Sequence, residues 1–437
     1  MYFNKNKLSY IFDKLYPICR SITGEGFKKS LDILSKEIPL QKIKYKTGKK
    51  IFDWKVPQEW SVKEAFIKYN NKKILDFRSN NLHIVNFSIS KNIKLNLNQL
   101  KKKIHTLKNR PNLIPYVTSY YKKNWGFCES FNKLKKYKKG TYDVVIKSKF
   151  KNGYLINGID KIKGKSKKIC LISSYLCHPS MANNELSGPL VLLGLHERIK
   201  KWNNRNLSYT FLINPETIGS ICFLSNYKKK LKQNMLSGLV LTCLGGPQKK
   251  ISYKLSRSAN SPLDKLAKYL FNKKKIFLRE FDPCSGSDER QYCASSLNLP
   301  MGQFARTIYG QYKEYHTSGD TKKLMDIKQI YNSIDSLEVI LKINDKLLPI
   351  KRFIPFGELQ LGKRNLYPNI NSPNTRKFSN DKINDGRENL NTLLEILSYA
   401  DGKLDILDIA IKRNIKLDTA IKILDLSVEK KLVKFVN

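Results

Sequence analysis

The chain has 437 residues and a formal net charge of +46, from 82 Lys and Arg against 36 Asp and Glu. That length accommodates two or three domains of roughly 100–200 residues each. No apolar stretch approaches the roughly 20 residues of a membrane-spanning helix, and the eight cysteines lack the dense spacing of a disulfide framework, so they read as reduced core thiols. The basic residues are scattered through every segment with no aromatic-interleaved cluster, which raises non-specific attraction to polyanions without arguing for nucleic-acid recognition. The N-terminus lacks an uninterrupted apolar region and a small-residue cleavage site, so no signal peptide is expected and a cytoplasmic location is inferred.

In chain order, Leu8 to Glu37 reads as two helices: Ile11, Leu15 and Ile18 form one stripe, Gly24 to Gly26 interrupts, Leu31 and Leu34 begin another, and Pro39 stops it. From about 50 to 140, short β-like runs around Phe52, Trp54, Trp60, Phe66-Ile67 and His83-Ile84-Val85 predict a β-rich insertion, with Tyr120, Tyr121 and Trp125 read as core. Tyr142 to Lys149 and Tyr154 to Ile162, separated by Asn152-Gly153, predict a hairpin with a positive-φ turn. Cys170 to Cys177 is a short apolar run, read as a buried strand ended by His178-Pro179; Leu190, Leu193, Leu195 and Ile199 then predict a helix stacked on the sheet. This βα unit places His178, Asn183, Asn184 and Glu185 beyond a strand's carboxyl end, where open α/β sheets bind ligands. The pattern recurs with a strand Leu207 to Ile213, then Asn214-Pro215-Glu216, then a helix Ile218 to Leu231. A third strand, Leu236 to Leu244, ends in Gly245-Gly246-Pro247 with no ligand.

Ser261-Pro262 is an N-cap and first-turn proline for a helix to Phe271, and Thr321 to Lys346 predicts a longer one. Asn365 to Asp385, rich in Asn, Pro and Ser, reads as linker; Leu390 to Asn437 predicts three helices, broken at Asp401-Gly402 and near Asn414, and a terminal strand, the order of a winged helix. Its candidate recognition helix, Lys416 to Lys431, sets Asp418, Asp425 and Glu429 against Lys416, Lys422, Lys430 and Lys431, a near balance that favours a protein-contact or dimer role over DNA. The predicted fold is α/β, a mostly parallel sheet flanked by helices (1–48 and 141–350), with an inserted β-rich domain (49–140), a linker (351–385) and a winged helix (386–437).

His178, Glu216, Asp288 and His316, in that order, suit a hydrolytic zinc site, which uses imidazole and carboxylate ligands and leaves a position for water. Glu216 also suits the N-terminus of its following helix as a purely structural acid, and His196 reads as structural. Arg290, Glu289 and Asp320 are the candidate substrate contacts; Arg290 can take a carboxylate bidentately, and Asp320 can orient His316. Cys177 adjoins His178, and strand neighbours face opposite ways, so at most one of them is expected at a metal.

The segments HPSMANNELSG from His178, PETIGS from Pro215, GSDERQ from Gly286 and EYHTSGD from Glu314 occur together with RSITGEG from Arg20, Phe52-Asp-Trp54, IPYVTSY from Ile114 and Trp125-Gly-Phe-Cys128. This set resembles the bacterial aminopeptidase-like family DUF4910 with DUF2172, distantly similar to M28 zinc aminopeptidases. The resemblance implies Zn²⁺ and metal-assisted hydrolysis of a small peptide or amide, with His178 and His316 as ligands, Glu216 as base or ligand, Asn184 at a further metal position, and Asp288 and Glu185 as substitutes for missing carboxylates. The M28-like pattern has a bridging Asp where Asn184 stands and another Asp where Gly246 stands, which implies a weakened second site and a mononuclear centre at His178, Glu216 and His316. It also has two adjacent Glu where this chain has one. Two other readings stay open: a degenerate relative that binds a ligand or partner without turnover, and a winged-helix DNA-binding regulator. The zinc reading requires the His178 and His316 rings within about 8 Å of each other.

Overall fold

Ile169–Tyr175 is buried at every position, as expected of a strand covered on both faces. It is the third strand in sequence, β3, of an eight-stranded sheet in the computed structural model, which describes residues 4–367 and 386–436. The others are β1 (Gln41–Lys46), β2 (Tyr154–Ile162), β4 (Ser208–Asn214), β5 (Met235–Leu241), β6 (Ser252–Lys254), β7 (Phe277–Arg279) and β8 (Met301–Ala305), in spatial order β1-β2-β4-β3-β5-β8-β6-β7. The central run β4-β3-β5-β8 is parallel, while β2 lies antiparallel to β1 and β4, and β6 antiparallel to β8. The predicted α/β fold is therefore present, as a mixed sheet with a parallel central run and a further parallel pair, β6 and β7, at one edge.

Helix Ser187–Lys200 packs on β3 and β5, and Ile218–Asn234 on β2 and β5. The first approaches so closely that a Cβ on Gly188 would lie 2.3 Å from the Leu241 carbonyl oxygen, so only glycine fits. Ser261 caps helix Pro262–Asn272 in a reciprocal box with Asp264. The helix expected from Thr321 begins at Ile327, after a turn.

A second, four-stranded antiparallel sheet is ordered Lys72–Asp76, Glu59–Tyr69, Thr141–Lys151, Lys91–Asn96, its Thr141–Lys151 strand lying beyond residue 140, where the insertion was expected to end. Trp60, Ala65, Ile67, Val144 and Ile146 belong to its core. The expected hairpin is absent: Thr141–Lys151 pairs with Glu59–Tyr69 in this sheet and Tyr154–Ile162 with β1 and β4 in the other. Neither Asn152 nor Gly153 has positive φ. The burial patterns give the reason, because the first strand alternates and covers one core while the second is buried from Leu155 to Ile159. Glu59 holds the crossing point, accepting from Tyr154 N at 2.9 Å and Lys28 Nζ at 2.8 Å.

The chain divides into two units, Met1–Glu338 and Val339–Asn437. In the second, helices Gly386–Tyr399, Ile406–Lys412 and Leu417–Glu429 precede a strand, Val433–Phe435, paired antiparallel with Ile350–Arg352. Of the stretch read as linker, Lys351 and Arg352 thus lie in a strand, and 368–385 falls outside the described residues. All eight cysteines are free, and no described helix is long and apolar enough to cross a membrane.

Candidate metal centre

Beyond Tyr175 the chain leaves the sheet, and Ala182–Leu186 forms a wide turn that opens helix Ser187–Lys200. The carboxylate of Asp320 accepts the Asn183 and Asn184 N–H groups at 2.6 and 2.9 Å, which fixes this turn. Glu185 then reaches back. Its Oε2 lies 2.6 Å from His178 Nδ1, and its other oxygen accepts from Cys177 N. On the opposite side the buried Arg20 guanidinium donates to the His178 carbonyl at 3.1 and 3.2 Å. With backbone and Nδ1 both held, Nε2 is the nitrogen left to act, and it lies 3.5 Å from Glu216 Oε2. Burial opposes charge on His178, but Cys177 and Glu185 outweigh it and raise its pKa well above the ordinary value.

Glu216 follows β4 and Pro215, and its Oε1 accepts from Ser287 Oγ at 2.7 Å. Burial pushes its carboxyl up. Thr217, a β-branched residue, sits at φ 63° and ψ −76°, a conformation that persists only where neighbours impose it. Asp288 imposes it, accepting from Thr217 N at 2.6 Å, Asn214 Nδ2 at 2.8 Å and Ser220 Oγ at 3.1 Å. Burial, then Glu216, push Asp288 up to about 7. Glu289 is also internal: it pairs with Lys254 Nζ at 2.6 Å and accepts from Ser287 N and Gln303 Nε2.

His316 takes φ 53°, its ring stacked on Tyr315 at 3.9 Å and edge-on to Tyr116 at 5.5 Å. Burial, then His178, lower its pKa to about 3, so it is a neutral imidazole. Among the described residues nothing hydrogen-bonds its ring nitrogens. The His178 and His316 ring centroids are 5.3 Å apart, inside the 8 Å requirement.

His178, Glu216 and His316 line one cavity of about 410 Å³, with Ile22, Trp54, Tyr116, Thr118, Tyr120, Tyr121, Cys177, Thr217 and Ile218 forming the rest of its wall. Tyr120 and Tyr121, expected in the core, belong to this wall. The structure does not bring the other predicted site residues to it. Asp288, Glu289 and Asp320 are fully buried and occupied with the turns that display Glu216 and Glu185. Asp320 makes its bonds to the 182–184 turn and to Tyr312, with no bond to His316. Arg290 turns toward the carbonyls of Ser287 and Pro283.

Asn184 donates to Tyr175 Oη at 3.0 Å, and its Oδ1 has no hydrogen-bond partner among the described residues. A Cβ on Gly246 would lie 1.6 Å from Thr307 Oγ1, which leaves no room there for a carboxylate.

His178, Glu216 and His316 bring two imidazoles and a carboxylate, a donor set that suits zinc, to one largely apolar wall, with Glu185 orienting His178 from behind as ligating histidines require; their ligand atoms do not all lie within 4.8 Å of one another, so a shared cation requires them to draw together. Cys177, His178 and Glu185 do offer atoms within 4.8 Å of one another, but Glu185 already bonds Nδ1 and Cys177 N, so this trio serves to position the imidazole. Cys177 nevertheless lines the cavity beside His178. The expected alternation fails because the strand stops at Tyr175. Arg20, Ser287 and Tyr116 were not singled out as site residues from sequence; Arg20 and Tyr116 lie within recognisable motifs, but their partners lie far along the chain.

Residues 10–346 match the family described as a domain of unknown function, DUF4910, and residues 349–435 match a winged helix-turn-helix family. A Clostridium acetobutylicum protein whose name pairs polysaccharide biosynthesis with an aminopeptidase-like domain is 38% identical over 406 residues, 92% of this chain and 90% of its own. A crystal structure of a candidate peptidase from Clostridium acetobutylicum is similar at a TM-score of 0.85 and 34% identity, over 99% of this chain and 96% of that one. A Bacillus subtilis zinc aminopeptidase shares the fold at a TM-score of 0.53 and 11% identity, over 76% of this chain and 94% of its own. The chain belongs to the DUF4910 family, with an aminopeptidase-like α/β fold followed by a winged helix-turn-helix.

Proposed function

We propose that the chain hydrolyses an amide bond in a small peptide or related substrate at a single-cation centre held by His178, Glu216 and His316. The observation that carries this reading is the meeting of His178 Nε2, the Glu216 carboxylate and the His316 ring on one cavity wall, with His178 Nδ1 committed to Glu185. Zn²⁺, when bound there, would polarise the scissile carbonyl and lower the pKa of bound water toward about 7. Glu216 would hold the cation through Oε2, and with Oε1 on Ser287 it is not also the base; the proton of the attacking water would pass through solvent to the leaving amine. Ser287 keeps one Glu216 oxygen fixed while the other faces His178. Tyr116 and Tyr120, whose hydroxyls lie 3.0 Å apart on the wall, supply a hydrogen-bond donor to the substrate.

The name of the Clostridium relative extends the substrate panel from amino-acid amides to acylated amino sugars. Metal analysis of chain purified without chelator, followed by turnover of that panel, tests the proposal; Glu216→Gln is expected to lower turnover at least about 100-fold with the fold intact. Asn184 and Gly246, where M28-like carboxylates are missing, favour a second reading in which the site binds a ligand without turnover. A metal-loaded chain inert toward the whole panel would support it. The winged helix is proposed as a protein-contact module, because helix Leu417–Glu429 carries Asp418, Asp425 and Glu429 against Lys422 alone.

A further inference from the structure

We propose that a second cavity beside the centre receives an anionic group of the substrate, carried on an apolar or ring-shaped body. This cavity measures about 780 Å³ and meets the first at Tyr121, which lines both. Tyr121 sits at φ 64° and packs edge-on at 5.4 Å against Trp54, another residue of the first wall. The ring, half exposed, stands where the two cavities meet.

Val56, Phe87 and Phe150 give the second cavity apolar surface, and Lys55, Lys122 and Lys123 give it charge. Among the described residues no carboxylate lines it. Among the described residues none of these ammonium groups has an ion-pair or hydrogen-bond partner. Elsewhere in the same region Lys28 and Lys151 pair with Glu59, and Lys147 with Glu64.

Lysine is abundant everywhere in a chain of charge +46, so composition alone explains some positive charge in any cavity. Three exposed lysines at the rim of one apolar hollow, beside the cavity that holds His178 and Glu216, make a surface complementary to an anion with a non-polar body. A substrate whose scissile amide lies at His178 and Glu216 would extend past Tyr121 and set its phosphate or carboxylate among the lysines. Assigning the cavity to the substrate rests on the hydrolase reading; anion binding by the cavity does not.

The test uses the full chain stripped of metal, so that no anion can ligate a cation, titrated with phenyl phosphate, benzoate and benzyl alcohol by calorimetry. Both anions are expected to bind and the neutral alcohol to bind at least about 10-fold more weakly. The triple variant Lys55→Ser, Lys122→Ser, Lys123→Ser is expected to weaken the anions about 10-fold. A control removing equal charge from exposed positions outside the cavity, Lys101→Ser, Lys102→Ser, Lys108→Ser, should change them less than 2-fold. Binding of both anions supports the proposal; tighter binding of phenyl phosphate follows from its greater charge at neutral pH and does not by itself select phosphate over carboxylate. Equal losses in cavity and control variants would trace binding to the diffuse charge of the chain and overturn the proposal, as would equal binding of the alcohol. Failure of the hydrolase reading would appear in turnover assays and leave this titration unchanged.

Discussion

His178 is held from three directions, by Arg20 on its carbonyl, by Glu185 on Nδ1 and by the Tyr116 and Tyr175 rings at 5.0 and 5.6 Å. Removing the charge from its carboxylate partner therefore acts on metal affinity through ring orientation and basicity. Glu185→Gln, which keeps an acceptor for Cys177 N, is expected to weaken cation binding about 10- to 100-fold, measured by competition with a chromogenic chelator, with little loss of fold. Protonation gives a second expectation. Cys177 and Glu185 raise the His178 pKa against the pull of burial, so protonation of His178 competes with a cation for Nε2. Cation affinity should rise with pH, and calorimetry in buffers of different ionisation enthalpy should report proton release. An affinity independent of pH between 6 and 8 would place the cation elsewhere. The residues that meet at the centre were legible in sequence because each follows a strand or lies in a compact polar motif. Glu185 was placed near the site but not in its supporting role, and Ser287 and Arg20 were not singled out, because all three act through hydrogen bonds whose geometry no local pattern encodes.

Among elements, the turns after β3 and β4 owe their shape to buried acids from later in the chain. Asp320→Ala would strip acceptors from the Asn183 and Asn184 N–H groups and from Tyr312. It should destabilise by about 2–4 kcal/mol, read from denaturant unfolding. Lys254→Met would leave Glu289 buried without its cation and should cost about 3–5 kcal/mol. A loss below about 1 kcal/mol in that variant would mean that Glu289 has other compensation. The strands of the parallel core were readable because apolar runs such as 169–175 need no partner to be recognised. The false hairpin at Asn152-Gly153 shows the opposite case. The turn signal there is local, whereas Thr141–Lys151 takes its partner from Glu59–Tyr69, far back in sequence. Cys177 misled for a related reason, since side-chain alternation ends with the strand.

For the molecule as a whole, the charge of +46 and the winged helix both invite a nucleic-acid role, and the protein-contact role proposed for the winged helix rests instead on where its charge lies. Asp425 in the helix expected to read a groove is engaged by Lys346 at 2.5 and 2.7 Å, and Lys422 is the only Lys or Arg between Leu417 and Glu429. Binding to duplex DNA should be sequence-independent and vanish with moderate salt, as screening of a diffuse field requires.

The hydrolase reading rests on where a cation sits. Anomalous scattering at the zinc edge, recorded from crystals of chain purified without chelator, tests it most directly. One peak per chain about 2.0–2.2 Å from His178 Nε2, Glu216 and a ring nitrogen of His316 is the predicted result. No peak there, or a peak bound instead by Cys177 and Glu185, would contradict it.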